Sequence, residues 1–181
     1  MNRLITILLL LISFISFSQD FEKSPKKITF EMGYSHIIHS SFNYSKSAFA
    51  FAFDYGWKVS GFNKKPGAYI SIPLGYISVP PITEGTKNGG ISYYGIHITH
   101  ELKKDKKMIP FFGYSLLFNQ LRVQDTPGRV IGHETRFDAG SSFGKRLYAK
   151  AEYSIASYPT LGRKGSDRLG SFGIKIGVRI K

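Results

Sequence analysis

The sequence predicts an all-β protein, an eight-stranded antiparallel up-and-down transmembrane β-barrel. Three observations lead to this prediction: strict alternation of side-chain character along eight segments, connections that alternate between long and short, and balanced charge on the small-residue face. The composition agrees, because 15 Phe, 11 Tyr, 1 Trp and 19 Gly in 181 residues are more typical of β structure than of helices. The absence of cysteine excludes a disulfide framework and any thiolate metal ligand or nucleophile.

The N-terminal residues have the layout of a cleaved secretory signal peptide. A positive charge at Arg3 precedes the almost wholly apolar run Leu4–Phe17, and small serines stand before a cleavage point after Ser18. A spanning helix needs about 20 residues, so a permanent N-terminal anchor is the weaker interpretation. The sequence thus predicts a signal peptide at 1–18 and a barrel domain at 19–181.

Alternation with period two is clearest in the second segment. Large apolar side chains occupy every other position from Phe49 to Val59, and Ala, Asp, Gly and Lys occupy the positions between them. A helix cannot give this pattern, since its period is 3.6 residues. No later stretch is long enough and apolar enough to predict a spanning helix. The eight segments are 27–38, 48–59, 67–79, 91–102, 108–118, 136–144, 148–157 and 169–180.

The orientation of the two strand faces separates a ligand carrier from a membrane barrel. A soluble carrier of the lipocalin kind would turn Phe51 inward and Lys175 outward, whereas a membrane barrel would do the reverse. The alanines and glycine opposite the aromatic residues of the second segment suit the crowded interior of an eight-stranded barrel. The predicted lipid-facing residues are Phe30, Phe49, Phe51, Phe53, Tyr55, Trp57, Ile96, Ile98, Phe112, Phe172, Ile174, Ile176 and Val178.

The small-residue face also carries charges, which we predict to form a paired network in the lumen. Buried charges are costly unless they are paired, so a sealed lumen should be close to neutral. Acidic and basic residues are equal in number on this face. The predicted network consists of Glu31, Asp54, Lys58, Glu101, Arg136, Asp138, Lys150, Glu152, Lys175 and Arg179.

The connections between the segments alternate in length. The short ones are 60–66, 103–107 and 145–147, and the long ones are His39–Ser47, Pro80–Gly90, Asn119–Thr135 and Tyr158–Arg168. Membrane barrels of bacteria have short periplasmic turns and longer extracellular loops. This topology predicts that both chain ends are periplasmic and that Asn119–Thr135 and Tyr158–Arg168 are exposed contact loops.

The formal net charge is +13, and most of the excess falls on the short turns and the chain ends. In the periplasm these basic turns would meet lipid phosphates. Contact with peptidoglycan or with a periplasmic protein partner and simple solvation are the alternatives. In the third long connection, Arg122 and Arg129 offset Asp125 and Glu134. Because the positive charge is spread over separate turns, the sequence predicts no nucleic-acid binding.

Aromatic residues near the strand ends predict girdles at the two membrane interfaces. Ordinary packing is the alternative for each of them. The candidates are Trp57, Tyr34, Tyr76, Tyr94, Tyr114, Tyr148, Tyr153 and Tyr158.

Residues 137–154 form a strand, a tight basic turn and a second strand, and residues 169–180 form a final Gly-rich strand. With Ser18–Gln19 and the eight alternating segments, this arrangement resembles the small outer-membrane β-barrels of Gram-negative bacteria, of the OmpA transmembrane-domain and OmpX type. The resemblance implies a monomer that resides in the outer membrane, with membrane lipid as its surroundings.

The sequence offers little catalytic chemistry. His97 and His100 lie three apart on one predicted strand and face opposite ways, so they cannot share a metal. Some barrels of the resembled architecture are lipid A deacylases and palmitoyltransferases that use Ser and His near the extracellular rim. The nearest candidates here are 39–41, with sequence His-Ser-Ser, and His133 with Glu134 as base and orienting group. The His-x-Ser-Asn signature of the deacylases is absent.

The sequence thus predicts a non-enzymatic barrel without cofactor or metal. Its lumen is closed by charge pairs, and its role is structural or a surface interaction through a partner that the sequence does not identify. The alternatives are a narrow, porin-like passive pore, a lipid-modifying enzyme at the rim, and a soluble lipocalin-like carrier.

Overall fold

The computed structural model describes the residues 26–40, 47–59, 67–80, 89–102, 107–122, 129–144, 146–159 and 166–180. The predicted signal peptide at 1–18 and the start of the predicted barrel domain lie outside these residues. No helix among them is long and apolar enough to cross a bilayer.

Eight antiparallel strands close into a barrel, with each strand paired to the next and β1 paired to β8. This confirms the predicted fold. The strands are β1 Lys26–Ser40, β2 Ser47–Val59, β3 Ala68–Val79, β4 Gly89–Glu101, β5 Met108–Arg122, β6 Val130–Phe143, β7 Leu147–Pro159 and β8 Ser166–Arg179.

The period-two pattern of the sequence becomes an inner and an outer face. Leu116 and Leu117 are neighbours on β5, yet Leu116 is 65% exposed and Leu117 only 2% exposed. The same alternation of exposed and buried residues continues along all eight strands. Because successive strand side chains point to opposite faces, one face of every strand lines the lumen and the other forms the outer surface.

Strand ends differ from the prediction at one end of the barrel. β5 continues to Arg122 and β6 begins at Val130, so most of the predicted contact loop Asn119–Thr135 is paired strand. β7 and β8 likewise continue to their Pro159–Ser166 pair, well into the predicted loop Tyr158–Arg168. The apolar pattern becomes irregular there, whereas the backbone pairing does not.

The predicted alternation of long and short connections is therefore wrong in detail. Six residues, 41–46, connect β1 to β2, whereas eight residues, 60–67, connect β2 to β3. The end of backbone pairing sets the length of a connection, and residues that look like loop in the sequence extend several of the strands.

Candidate functional site

The lumen contains four groups of side chains, stacked along the barrel. We call the end where β1 begins and β8 ends the terminal end, and the opposite end the far end. A charged group occupies the middle, a histidine cluster and a charged mouth lie toward the terminal end, and apolar side chains fill the far end.

The middle group, here called the ion-pair layer, is built from β1, β6, β7 and β8. Two of its pairs join Lys150 Nζ to Glu31 Oε1 and Lys175 Nζ to Glu152 Oε1, each at 2.8 Å. Tyr148 also donates its hydroxyl to Glu31 Oε1 at 2.6 Å. The charged members, all buried, are Glu31, Glu134, Arg136, Lys150, Glu152 and Lys175.

Within this layer, Arg136 is the residue that also contacts side chains toward the far end. Its Nε donates to Glu134 Oε1 at 2.7 Å, and its Nη1 lies 3.7 Å from Glu152 Oε2. The guanidinium carbon lies 4.3 Å from the centroid of the Tyr93 ring, a cation–π geometry. Asn119 donates from Nδ2 to the other Glu134 oxygen at 2.6 Å. The layer is therefore held by charge-assisted hydrogen bonds as well as by opposite charge.

His97 lies between two lumen carboxylates. Its Nε2 is 3.0 Å from Asp138 Oδ2, and its Nδ1 is 3.5 Å from Asp54 Oδ2. The Thr99 hydroxyl is 3.4 Å from the same Nε2. With a proton on each ring nitrogen, the histidine can donate to one oxygen of each aspartate.

The terminal end forms a charged mouth. Arg179 Nη2 lies 3.6 Å from Glu101 Oε1 and donates to Ser142 Oγ at 3.1 Å. Lys27 Nζ lies 4.9 Å from the centroid of the Tyr69 ring. Between this mouth and the ion-pair layer is a cavity of about 10 Å³, lined by residues that include Thr29, Asp54, His97 and Lys150. This volume has room for about one water molecule.

The far end is closed by apolar side chains that we call the apolar plug. These residues lie in the far halves of their strands. At the level of the ion-pair layer, Ala52 is opposite Glu31 and Leu117 is opposite Glu134. The Tyr93 hydroxyl accepts a hydrogen bond from Lys175. The plug consists of Ile37, Ala48, Ala50, Ala52, Ile77, Val79, Ile91, Tyr93, Leu117, Leu121, Val130, Ala156, Tyr158 and Leu169. The sequence prediction of a lumen filled by charges, Gly and Ala did not include this plug.

The ten charges predicted for the lumen all lie on the inner face. Nine of them lie within 4.0 Å of an oppositely charged or histidine partner on the inner face. Lys58 is half-buried, and no ion pair joins it to a carboxylate among the described residues. Sequence reasoning missed Lys27, Glu134 and His97, although period two gives the inward face for Lys27 and His97.

Glu134 and His133 are separated rather than brought together. Both belong to β6, where Glu134 is buried against Arg136 and His133 is exposed on the outer face. The predicted base and orienting pair is therefore wrong, because consecutive strand residues point to opposite sides. The predicted cancellation of Arg122 and Arg129 by Glu134 is wrong for the same reason. The side chains of 39–41 lie outside the described residues.

Two predicted girdle residues also lie in the lumen: Tyr148 and Tyr158 are buried on the inner face of β7. His97 and His100 do face opposite ways, and the His100 ring stacks on Phe112 outside the barrel at 5.0 Å between centroids.

The predicted lipid-facing residues all lie on the outer face. Tyr55, Trp57 and Ile98 are half-buried there, and the other ten are exposed. The Tyr55 and Trp57 rings meet edge to face at 4.8 Å between centroids, near the terminal end of β2.

The fold can be compared with solved structures. No protein-family model matches the chain, and no curated protein matches it in sequence. The outer membrane enzyme PagL is similar in structure with a TM-score of 0.58, at 14% identity over 84% of this chain and 98% of that one. Neisserial surface protein A is similar with a TM-score of 0.54, at 14% identity over 84% of this chain and 96% of that one. The chain therefore has the fold of the small eight-stranded outer-membrane β-barrels.

Proposed function

We propose that the protein is a non-enzymatic barrel of the outer membrane, monomeric and closed to ions, with a structural or surface-interaction role. In this proposal, the terminal end of the barrel faces the periplasm. The far end is extracellular, and a partner would make contact there. The observation that carries the proposal is a lumen blocked twice, by the ion-pair layer and by the apolar plug, inside an apolar outer surface.

The outer surface supports a lipid environment. Phe51 is 44% exposed, whereas Lys175 is fully buried, which is the reverse of what a soluble carrier with an apolar lumen requires. Exposed Ile174 and Ile176 continue the apolar surface on β8. A band of this kind around a whole barrel exceeds the apolar patches of soluble monomers and matches the lipid-facing belt of outer-membrane barrels.

The closed lumen argues against the passive pore. An ion that entered at the terminal end would meet the paired charges of Lys150 and Lys175, and beyond them the apolar plug, where Leu121 and Val79 are fully buried. The cavity near the terminal end has room for about one water, which is too little for a continuous path.

Two measurements test this proposal. The first is electrophoresis of purified outer membranes with and without boiling, in which a closed barrel is expected to migrate differently before it is boiled. The second is current across planar bilayers containing the purified protein, in which we expect no discrete conductance steps. A protein that fractionates with the periplasm and shows no shift would contradict the membrane proposal. Reproducible conductance steps would contradict the closed lumen.

A second candidate function is acyl transfer at the rim, supported by one new juxtaposition. His133 and Ser157 are directly opposite each other in the β6–β7 pairing, and both face outward near the far end. Acyl transfer by a serine requires a histidine base in hydrogen-bond reach, itself oriented by a third group. No hydrogen bond joins His133 to Ser157 among the described residues, and Glu134 faces away from them.

This candidate is tested by the number of acyl chains on lipid A, read by mass spectrometry from cells that express the protein. We expect no difference between wild type and Ser157→Ala. A change in acylation that depends on both Ser157 and His133 would establish the enzyme and refute the non-enzymatic proposal.

A further inference from the structure

The outer surface at the far end carries an arc of exposed basic residues that extends from β5 to β8. Arg122 ends β5, Arg129 precedes β6, His133 lies on β6 and Arg168 lies near the start of β8. All four residues are exposed. We call Arg122, Arg129, His133 and Arg168 the basic arc.

The strand register sets the spacing within the arc. His133 is opposite Ser157, and Ser157 is opposite Arg168, so His133 and Arg168 share one row two strands apart. Their Cα atoms are thus about 10 Å from each other. Arg122 and Arg129 each lie one residue beyond the Leu121–Val130 pair and therefore face each other across β5 and β6.

The guanidinium groups of the arc are not neutralised by described carboxylates. No salt bridge joins Arg122, Arg129 or Arg168 to an acidic side chain that the structure describes. Arg129 donates from Nη1 to the neutral Gln120 Oε1 at 2.8 Å, which holds it beside the rim without cancelling its charge. Glu134 is turned into the lumen and bound by Arg136.

Apolar side chains lie on the same strands, nearer the middle of the barrel than the three arginines, and Phe118 is directly opposite His133. Phe118, Ile131 and Ile155 are exposed on β5, β6 and β7. A ligand that fits both levels has an anionic head beside the arginines and hydrocarbon beside the aromatic and aliphatic residues. The outer face of β1 to β3 is different at the same level, since its described residues there include one histidine, His36, and no Lys or Arg.

We propose that the basic arc binds the phosphate groups of the outer-leaflet glycolipid, lipopolysaccharide, whose acyl chains lie against the apolar residues below its three arginines. Guanidinium groups bind phosphate oxygens through paired, charge-assisted hydrogen bonds. The inference rests on the proposed function, because that orientation places the far end in the outer leaflet. According to this inference, lipopolysaccharide binds preferentially to one side of the barrel, the outer face of β5 to β8.

The test measures binding of purified, folded barrel in neutral detergent to phosphorylated lipid A and to the same lipid A after removal of its phosphates. The variant is Arg122→Gln with Arg129→Gln and Arg168→Gln. The matched control is Lys26→Gln with Lys107→Gln and Arg146→Gln, which removes three exposed charges at the terminal end. The single variant Arg168→Gln changes one exposed side chain and is expected to leave folding unaffected.

We expect the far-end triple variant to bind phosphorylated lipid A about tenfold more weakly or worse, a loss of about 1.4 kcal/mol. The terminal-end control should stay within about twofold of wild type, and the dephosphorylated lipid should bind all proteins weakly. If both triple variants lost the same amount of affinity for phosphorylated lipid A, net charge alone would explain the effect, and the inference would be overturned. Competition by inorganic phosphate as strong as by the lipid would overturn it too.

The two proposals fail in different ways. If the barrel shifts in electrophoresis on boiling but the two triple variants bind alike, only the basic arc is refuted. If the wild-type protein shows no such shift and is found in the periplasm, the proposed membrane location is refuted, and the arc with it.

Discussion

Lys150 and Lys175 are directly opposite each other in the pairing of β7 with β8, so two positive charges share one rung of the lumen. Each ammonium group turns to a different carboxylate: Lys150 binds Glu31 on β1, and Lys175 binds Glu152 on β7, both at 2.8 Å. Like charges directly across a strand pair are destabilising. The layer is therefore stable only when the barrel is closed and β1 brings Glu31 to the β7–β8 pair.

Replacing Lys175 with Ala is expected to destabilise the barrel strongly. The ammonium group is fully buried, and its loss leaves Glu152 with one less partner in a low-dielectric lumen. Breaking a buried pair from one side costs about 3–5 kcal/mol. Urea unfolding in lipid vesicles, followed by the electrophoretic shift, measures the change in free energy.

Lys107→Ala serves as the control, because Lys107 is exposed and its loss should change stability by less than about 0.5 kcal/mol. The double variant Lys175→Met with Glu152→Leu removes both charges and should recover most of the lost stability. A Lys175→Ala barrel as stable as the control would show that the pair contributes nothing.

Replacing Gly75 with Val is expected to displace Tyr93 from the lumen wall. Tyr93 on β4 lies directly over Gly75 on β3, so that even a Cβ at residue 75 would overlap the tyrosine ring. Tyr93 accepts a hydrogen bond from Lys175 at 3.2 Å and packs against Arg136, so its movement disturbs the ion-pair layer. Overpacking of this kind costs about 1–3 kcal/mol.

A double-mutant cycle with Tyr93→Ala measures the coupling. The Tyr93→Ala change removes the ring that the valine would strike, so the cost of Gly75→Val should be smaller in that background. Strictly additive costs would contradict the contact between Gly75 and Tyr93.

Leu116 and Leu117 provide a matched comparison of the two faces. Leu117→Ala leaves a void in the apolar plug and should cost about 2–5 kcal/mol. Leu116→Ala on the outer face should cost less, because lipid chains can fill the space that the side chain leaves. Unfolding free energies of the two variants in vesicles test the order, and a larger cost for Leu116→Ala would mean that the faces are reversed.

Trp57, the only tryptophan, reports the depth of the terminal end of the barrel in the membrane. It lies on the outer face beside Tyr55 and is opposite Lys26, at the start of β1. Aromatic residues in such positions sit at the level of lipid headgroups. Quenching of its fluorescence should be stronger with lipids brominated near the headgroup than with lipids brominated at the chain ends. The opposite order would place this end too deep in the membrane.

The sequence predicts the inner face of each strand well. The prediction of strand ends fails where a strand continues beyond its alternating apolar residues. Glu134 follows Gly132 and His133, which look like loop, yet β6 begins at Val130 and carries Glu134 into the lumen. Tyr148 is a different case, because it lies two residues from Lys150 within a predicted strand, and period two by itself would have placed it in the lumen, where its hydroxyl binds Glu31. The backbone pairing that extends β6 to Val130 depends on β5, the neighbouring strand, which no local pattern describes.

Period two by itself determined that this chain forms eight strands with one apolar and one small or charged face, because alternate side chains of a strand must point to opposite sides. Only the tertiary structure decided which charges meet. The distance from Glu31 to Lys150 depends on how β1, β8 and β7 are shifted along one another, and that shift is fixed by barrel closure. For the same reason, the apolar plug and the basic arc emerge only when the far ends of strands distant in sequence are brought to one level.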